Sequence, residues 1–146
     1  MSDHPVSLAQ HYHERTKYHA ETIANRDFDW SKQPAPFKEY KLGTVFDLKP
    51  YLSEPSHPDP VSQTWHRLSR LLFYSYGLTV HSVTMSGEPI YFRAVPSAGA
   101  LYPAEIYLVS RGTPVLPAGL YNYQPQTHSL IHFWDADVWT PLQDAC

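Results

Sequence analysis

The sequence predicts an α+β protein, because helical and strand patterns both occur and they occupy different stretches of the chain. Residues 62–76 (SQTWHRLSRLLFYSY) have apolar residues at helical spacing, and Gly77 is a suitable helix stop. Residues 105–110 are rich in β-branched and aromatic residues, as strands are. Residues 119–123 and 129–134 flank a polar turn, which is typical of a β-hairpin.

Two further helices are predicted at the ends of the chain. Residues 7–25 favour a helix with Ser7 as its N-cap, and residues 138–143 favour a short one. Residues 78–92 fit neither pattern, although Gly87 and a following proline indicate a turn. For the helix over 62–76 we expect one core-facing side, made of Trp65, Leu68, Leu71, Leu72 and Ser75.

Proline divides the chain into two predicted parts. There are 14 prolines among 146 residues, about twice the average usage of roughly 5%. Six of them fall within residues 26–60, where missing backbone donors favour extended chain. We therefore expect residues 1–60 to form an N-terminal helix and an extended Pro-rich arm, and residues 61–146 to form the folded domain. Five side chains are expected to hold the arm on an apolar surface, namely Trp30, Phe37, Tyr40, Phe46 and Leu48.

Composition excludes several classes of protein. The net charge of −3 gives no basic surface for nucleic acid or anionic lipid. No apolar run approaches the roughly 20 residues of a membrane helix, and the polar N-terminus does not resemble a signal peptide. The single cysteine, Cys146, excludes a disulfide framework and a multi-cysteine metal site. A cytoplasmic location without nucleic-acid or membrane partners is the expectation.

The most informative stretch is PSAGAL, residues 96–101. Its small side chains allow the backbone to approach a flat or anionic ligand closely. Ser97 is a candidate N-cap for a helix starting at Ala98, and the guanidinium of Arg93 could bind a phosphate or a ring carbonyl. A simple turn into a short helix is the alternative interpretation of the same residues.

Longer strings around this stretch resemble one family. These are HYHERTKYH with FDWSKQPAPFKEY, then LSRLLFYSYGLT, FRAVPSAGALYPAEIYLVS and PAGLYNYQPQTHSLIHF. Together they resemble the nitroreductase superfamily, in its SagB/ThcOx-type branch, from about His11 to Phe133. The most specific part is RxxPSAGALYPxExY, residues 93–107.

The resemblance implies a homodimeric α+β enzyme with FMN at the subunit interface and redox chemistry at the flavin N5. It implies that Pro96, Ser97, Ala98 and Gly99 line the isoalloxazine ring, with Arg93 beside the cofactor. Members of this branch oxidise thiazoline and oxazoline rings in peptides, whereas other superfamily members reduce nitroaromatics and quinones with NAD(P)H. Neither the substrate, peptide or small molecule, nor a catalytic residue can be named from the sequence.

The chain also departs from the family in two respects. An RRSxR-like phosphate-binding segment is missing, and residues 66–70 (HRLSR) are its nearest counterpart. The second half of the fold would follow after Cys146, so we expect an incomplete nitroreductase-like fold. The hypotheses are therefore an FMN-dependent oxidoreductase, a non-catalytic half-domain that dimerises or docks on a complete flavin subunit, and an NAD(P)H-dependent nitro or quinone reductase.

The remaining candidate side chains favour structural roles, and no metal site is predicted. His11 and His13 are two residues apart, which does not place them on one helical face. His128 and His132 are expected to share an exposed face of the second hairpin strand. Glu105 is expected at the surface. Four tyrosines are expected to pack in the core or an interface, namely Tyr102, Tyr107, Tyr121 and Tyr123.

Overall fold

The structure is a computed structural model that describes residues 7–19, 34–55, 59–85 and 87–145. The chain divides into two compact units, residues 1–33 and 34–146. In the first unit, helix α1 spans Leu8–Thr16. The Ser7 side chain accepts a hydrogen bond from the Gln10 amide, so the predicted N-cap is confirmed. The helix is shorter than predicted, because the backbone is already extended at Lys17; residues 20–25 lie outside the described residues.

Helix α2 spans Pro60–Tyr76 and confirms the central predicted helix. It begins two residues earlier than predicted because Asp59 caps it, accepting hydrogen bonds from the Val61 and Ser62 amides at 2.9 and 3.0 Å. Gly77 ends it as predicted, but with an extended backbone rather than a left-handed one. A β-carbon at Gly77 would lie 2.5 Å from the Phe73 carbonyl oxygen, so close approach is what requires glycine here.

The buried side of α2 differs from the predicted one. Leu71 is 65% exposed and Ser75 is also exposed, whereas Ser69 and Tyr76 are buried in their place. The core-facing residues follow steps of four, three and four: Trp65, Ser69, Leu72 and Tyr76. A polar residue thus occupies the centre of the helix face, which hydrophobic periodicity alone does not predict.

In the part of the chain that the structure describes, six strands form two antiparallel sheets. Strands β2 (Leu78–Val83) and β3 (Pro89–Arg93) pair as a separate hairpin. The other four strands form a sheet in the order β1-β6-β5-β4. They are β1 (Thr44–Asp47), β4 (Tyr107–Arg111), β5 (Ala118–Gln124) and β6 (Ser129–Trp134).

The strand predictions agree with this architecture. The predicted hairpin is β5–β6, and the predicted strand over 105–110 is β4, which begins two residues later and ends one residue later. Residues 78–92, which carried no clear pattern, form the β2–β3 hairpin with Gly87 at a φ of +89° in its turn. Helix α3 (Trp139–Ala145) lies where a short helix was predicted. The α+β class is therefore confirmed, and no helix in the described ranges is long and apolar enough to cross a membrane.

The Pro-rich segment contributes to the sheet over part of its length. Strand β1 pairs with β6, and a 3₁₀ turn follows at Lys49–Tyr51. Leu48 is fully buried in the core cluster that includes Trp65, and Phe46 and Tyr51 pack against this cluster. Phe37, Tyr40 and Phe46 are half-buried, while Trp30 lies outside the described residues.

The core contains a buried polar cluster around His128. His128 was expected on an exposed strand face with His132, but it ends the turn before β6, at a φ of +48°, and is 5% exposed. Its Nε2 lies 2.8 Å from the Ser69 hydroxyl, and its Nδ1 lies 2.8 Å from the Tyr123 hydroxyl. The four-residue turn, rather than the strand alternation, sets the direction of this ring.

Hydrogen-bond accounting fixes the tautomer of His128. The Ser69 hydroxyl donates to the Leu48 carbonyl, so its oxygen accepts from His128 Nε2–H. Nδ1 then has no proton and accepts from the Tyr123 hydroxyl. A neutral imidazole satisfies all three groups. Burial is the main cause that lowers the pKa of His128; the nearby Asp47 raises this pKa and the nearby Lys49 lowers it.

We expect the free energy of unfolding to decrease as the pH is lowered below about 6.5, the ordinary pKa of a histidine in the unfolded chain. The pKa of His128 is lower in the folded protein, so the unfolded chain binds the extra proton as the pH falls. This effect can reach about 1.4 kcal/mol per pH unit. Urea unfolding between pH 5 and 8 measures it.

His128→Asn should lower stability at pH 8 but flatten its pH dependence, since asparagine tolerates the positive φ without titrating. His11→Gln, on the exposed surface of α1, is the control and should keep the wild-type slope. An unchanged slope in His128→Asn would contradict the assignment.

Candidate functional site

The PSAGAL stretch forms a tight loop with unusual backbone angles. Gly99, Ala100 and Tyr102 have φ values of +64°, +54° and +46°, and residues 98–100 form a single 3₁₀ turn. Left-handed backbone is uncommon for alanine and tyrosine, and such strain often occurs at functional sites. The predicted cap at Ser97 is wrong: its hydroxyl accepts from the Tyr102 amide at 2.9 Å, across the loop, and caps no helix.

A groove of about 760 Å³ runs between this loop and the Pro-rich segment. One wall is formed by residues 34–38 and the other by residues within 97–105. The groove is lined mainly by apolar side chains: Pro34, Ala35, Pro36, Phe37, Ala98, Leu101, Tyr102 and Pro103. Lys38, Ser97 and Glu105 add polar groups, so the arrangement suits an apolar ligand with a few polar contacts.

Arg93 is buried behind the groove rather than among its lining side chains. It is 6% exposed, and its guanidinium carbon lies 5.1, 4.8 and 5.0 Å from the ring centres of Phe37, Tyr76 and Tyr102. One guanidinium nitrogen, Nη2, donates to the Pro36 carbonyl at 2.7 Å. Nε and Nη1 have no hydrogen-bond partner among the described residues.

This arrangement connects both groove walls to one side chain. Phe37 and the Pro36 carbonyl belong to the first wall, and Tyr102 belongs to the second. The Arg93 amide also donates to the Tyr102 hydroxyl at 2.9 Å. The Tyr76 hydroxyl bonds the backbone carbonyl of Ala104, and burial is the main cause of its raised pKa. The Arg93 guanidinium, enclosed by aromatic faces and a carbonyl, therefore supports both walls of the groove.

The structure separates the five predicted ligand-contact residues into two groups. Ser97 and Ala98 line the groove. Arg93 lies behind it, and Pro96 and Gly99 shape the loop without contributing to the lining. Contact of these five residues with a flavin stays a prediction.

Sequence reasoning missed the opposite wall. Pro36, Phe37 and Lys38 lie about 60 residues before the loop, and the signal that could have found them was the aromatic spacing of the Pro-rich segment. Glu105 was expected at the surface, but it is half-buried on the groove wall. Tyr102, Tyr121 and Tyr123 are buried as expected, whereas Tyr107 is 42% exposed.

The candidate histidines occupy different environments. His11 and His13 are exposed on α1, and His128 is enclosed in the core. Within the described ranges, no group of three histidine, cysteine, aspartate or glutamate side chains is arranged to hold a metal ion.

Known proteins with similar sequence and fold were found. A protein of Methanocaldococcus jannaschii is 39% identical over 105 residues, which are 69% of this chain and 46% of that protein. A crystal structure from Anabaena variabilis matches with a TM-score of 0.87 and 66% identity, covering 96% of this chain and 28% of that one. Both carry the name "putative nitroreductase". No protein-family model matches the chain.

This chain spans less than half the length of each of these two proteins. Over the part that it shares with them, its sequence and its fold support a nitroreductase relationship.

We expect Arg93→Ala to destabilise the protein by about 2–4 kcal/mol, because it removes a charged hydrogen bond and a desolvated cation–π contact. Arg93→Lys should recover only part of this loss, since an ammonium lacks the planar guanidinium. Urea unfolding measures both. Arg67→Ala, exposed on α2, is the control and should stay within about 0.5 kcal/mol of wild type. Equal losses in the two alanine variants would contradict the supporting role of Arg93.

Proposed function

We propose that this chain, whose sequence and fold resemble those of nitroreductases, is part of an FMN-dependent oxidoreductase of that kind. The observation that carries the proposal is the apolar groove between residues 34–38 and 97–105. Its volume of about 760 Å³ is in the range of small-molecule and cofactor sites, roughly 300–1,000 Å³.

The groove residues fit a flat aromatic ring with an anionic substituent. Ser97 and Ala98 are small enough for close approach of a ring to the backbone. Phe37 and Leu101 offer apolar surface, and Lys38 provides a positive charge on the wall. When bound, FMN supplies the two-electron chemistry, while the protein orients the ring and excludes water from it.

The more specific version of the proposal is azoline oxidation on a peptide. It is supported by the string RxxPSAGALYPxExY at residues 93–107, which resembles the SagB/ThcOx-type branch. The reaction removes two electrons and two protons from a thiazoline; FMN would accept both electrons and one proton as a hydride, and the second proton would be released to a base or to water. A thiazoline peptide incubated with the flavin-loaded protein should lose two mass units. Turnover of a nitrofuran with NAD(P)H, without that loss, would favour a nitro or quinone reductase instead.

A second candidate function is a half-domain that dimerises or docks on a complete flavin subunit. This chain spans less than half of its two relatives. The β2–β3 hairpin also exposes Val80 and Phe92, which are directly opposite each other and so share a face. Size-exclusion chromatography with light scattering tests this hypothesis. A stable monomer that carries no flavin would argue against both dimeric versions.

We expect the protein to quench FMN fluorescence on binding, and Ala98→Trp to weaken binding at least about tenfold, or about 1.4 kcal/mol, by filling the groove. Ala98 is exposed on the groove wall, so the fold should tolerate the larger ring. Ala136→Trp, exposed and outside the groove, is the matched control and should bind like wild type. Equal binding by all three proteins would place FMN elsewhere, and no quenching by wild type would reject autonomous flavin binding.

A further inference from the structure

Three polar side chains meet at the Lys38 end of the groove. Lys38 Nζ donates to the Tyr107 hydroxyl at 3.1 Å, and the hydroxyl oxygens of Tyr40 and Tyr107 are 2.5 Å apart. The Lys38 ammonium also lies 5.1 Å from the ring centre of Tyr40. Lys38 itself lines the groove, so the cluster lies next to any ligand bound there.

The rest of the fold holds this cluster in position. The Tyr40 ring stacks on Phe133 of β6, with ring centres 4.8 Å apart and planes 13° apart. Tyr107 is the first residue of β4, so its backbone is fixed by pairing with β5. The two tyrosines thus come from chain segments 67 residues apart. Tyr107 remains 42% exposed, which allows proton exchange with solvent and ligand.

The hydrogen bonds favour a negative charge on Tyr107. An ammonium can only donate, so the Tyr107 oxygen always accepts from Lys38. A phenolate on Tyr107 would also accept from the Tyr40 hydroxyl, giving it two donors. Glu105, two residues before Tyr107, is the nearby anion that opposes this charge.

We propose that Lys38, Tyr40 and Tyr107 form a proton-exchange site at the mouth of the groove. Tyr107 is the source of the proton, and Lys38 relays it. As the Tyr107 O–H bond breaks and its proton passes to Lys38, Lys38 passes one of its own protons to a nitrogen or oxygen atom of a ligand held between the walls, which leaves a phenolate beside a charged ammonium. This inference rests on the proposed function only in that it uses the same groove. It does not require the ligand to be FMN.

The acid–base properties of the three groups agree with Tyr107 as the source of the proton. Hydrogen bonding with Tyr40, and then with Lys38, lowers the pKa of Tyr107 below its ordinary value. Burial raises the pKa of Tyr40. Hydrogen bonds with Tyr40 and Tyr107 raise the pKa of Lys38. Tyr107 is therefore the group of the three that gives up its proton.

A phenolate absorbance titration of the flavin-free protein tests the proposal. The chain has 11 tyrosines, and we expect one to ionise before the others. Tyr107→Phe should abolish this early step, and Lys38→Met should move it to higher pH. Tyr12→Phe, exposed on α1, should leave it unchanged. Circular dichroism confirms that each variant is folded.

Acetylation with N-acetylimidazole at neutral pH is the second measurement, read by peptide mass spectrometry. Tyr107 should react several-fold faster than Tyr12, and Lys38→Met should reduce the difference without removing it, since the Tyr40 contact remains. Three results would overturn the proposal. The early tyrosine ionisation could be absent, it could persist in Tyr107→Phe, or its pH could be unchanged in Lys38→Met. Neither measurement uses FMN, so failure of flavin binding would reject the proposed function and leave this result intact.

Discussion

The groove depends on one buried cation. The Arg93 guanidinium is removed from water, so its charge must be met by protein groups, and here these are three aromatic faces and the Pro36 carbonyl. Because Phe37 belongs to the Pro-rich segment and Tyr102 to the PSAGAL loop, this requirement holds the two walls at a fixed separation. A planar guanidinium can stack on aromatic faces while its N–H groups donate to a carbonyl in a fixed direction.

The shape of the loop follows from the same contacts. Ala100 and Tyr102 adopt left-handed backbone angles that cost free energy, and such angles persist only where the surroundings determine them. The Ser97 hydroxyl accepts a hydrogen bond from the Tyr102 amide, and the Tyr102 hydroxyl accepts one from the Arg93 amide. The small side chains of Ser97 and Ala98 then remain on the groove wall, where a flat ligand could approach them.

Tyrosines of this protein have different acid–base properties because their surroundings differ. Tyr123 is fully buried and donates to His128, so burial raises its pKa and keeps it a neutral donor. Tyr107 lies at the surface beside Lys38 and Tyr40, and hydrogen bonding lowers its pKa. The first environment suits a permanent structural hydrogen bond, and the second suits proton transfer. Residue type alone would have assigned both tyrosines to packing.

By itself, the sequence determined the elements that local chemistry governs. These include the central helix with its stop at Gly77, the Ser7 cap and the β5–β6 hairpin. Only the tertiary structure decided that Leu71 faces solvent, that His128 is buried, and that the second groove wall comes from Pro36 to Lys38. Hydrophobic periodicity and turn residues report on near neighbours in the chain. The groove and the Lys38–Tyr107 pair join segments roughly 60 to 70 residues apart, and only packing around Arg93 and pairing within the sheet bring such segments together.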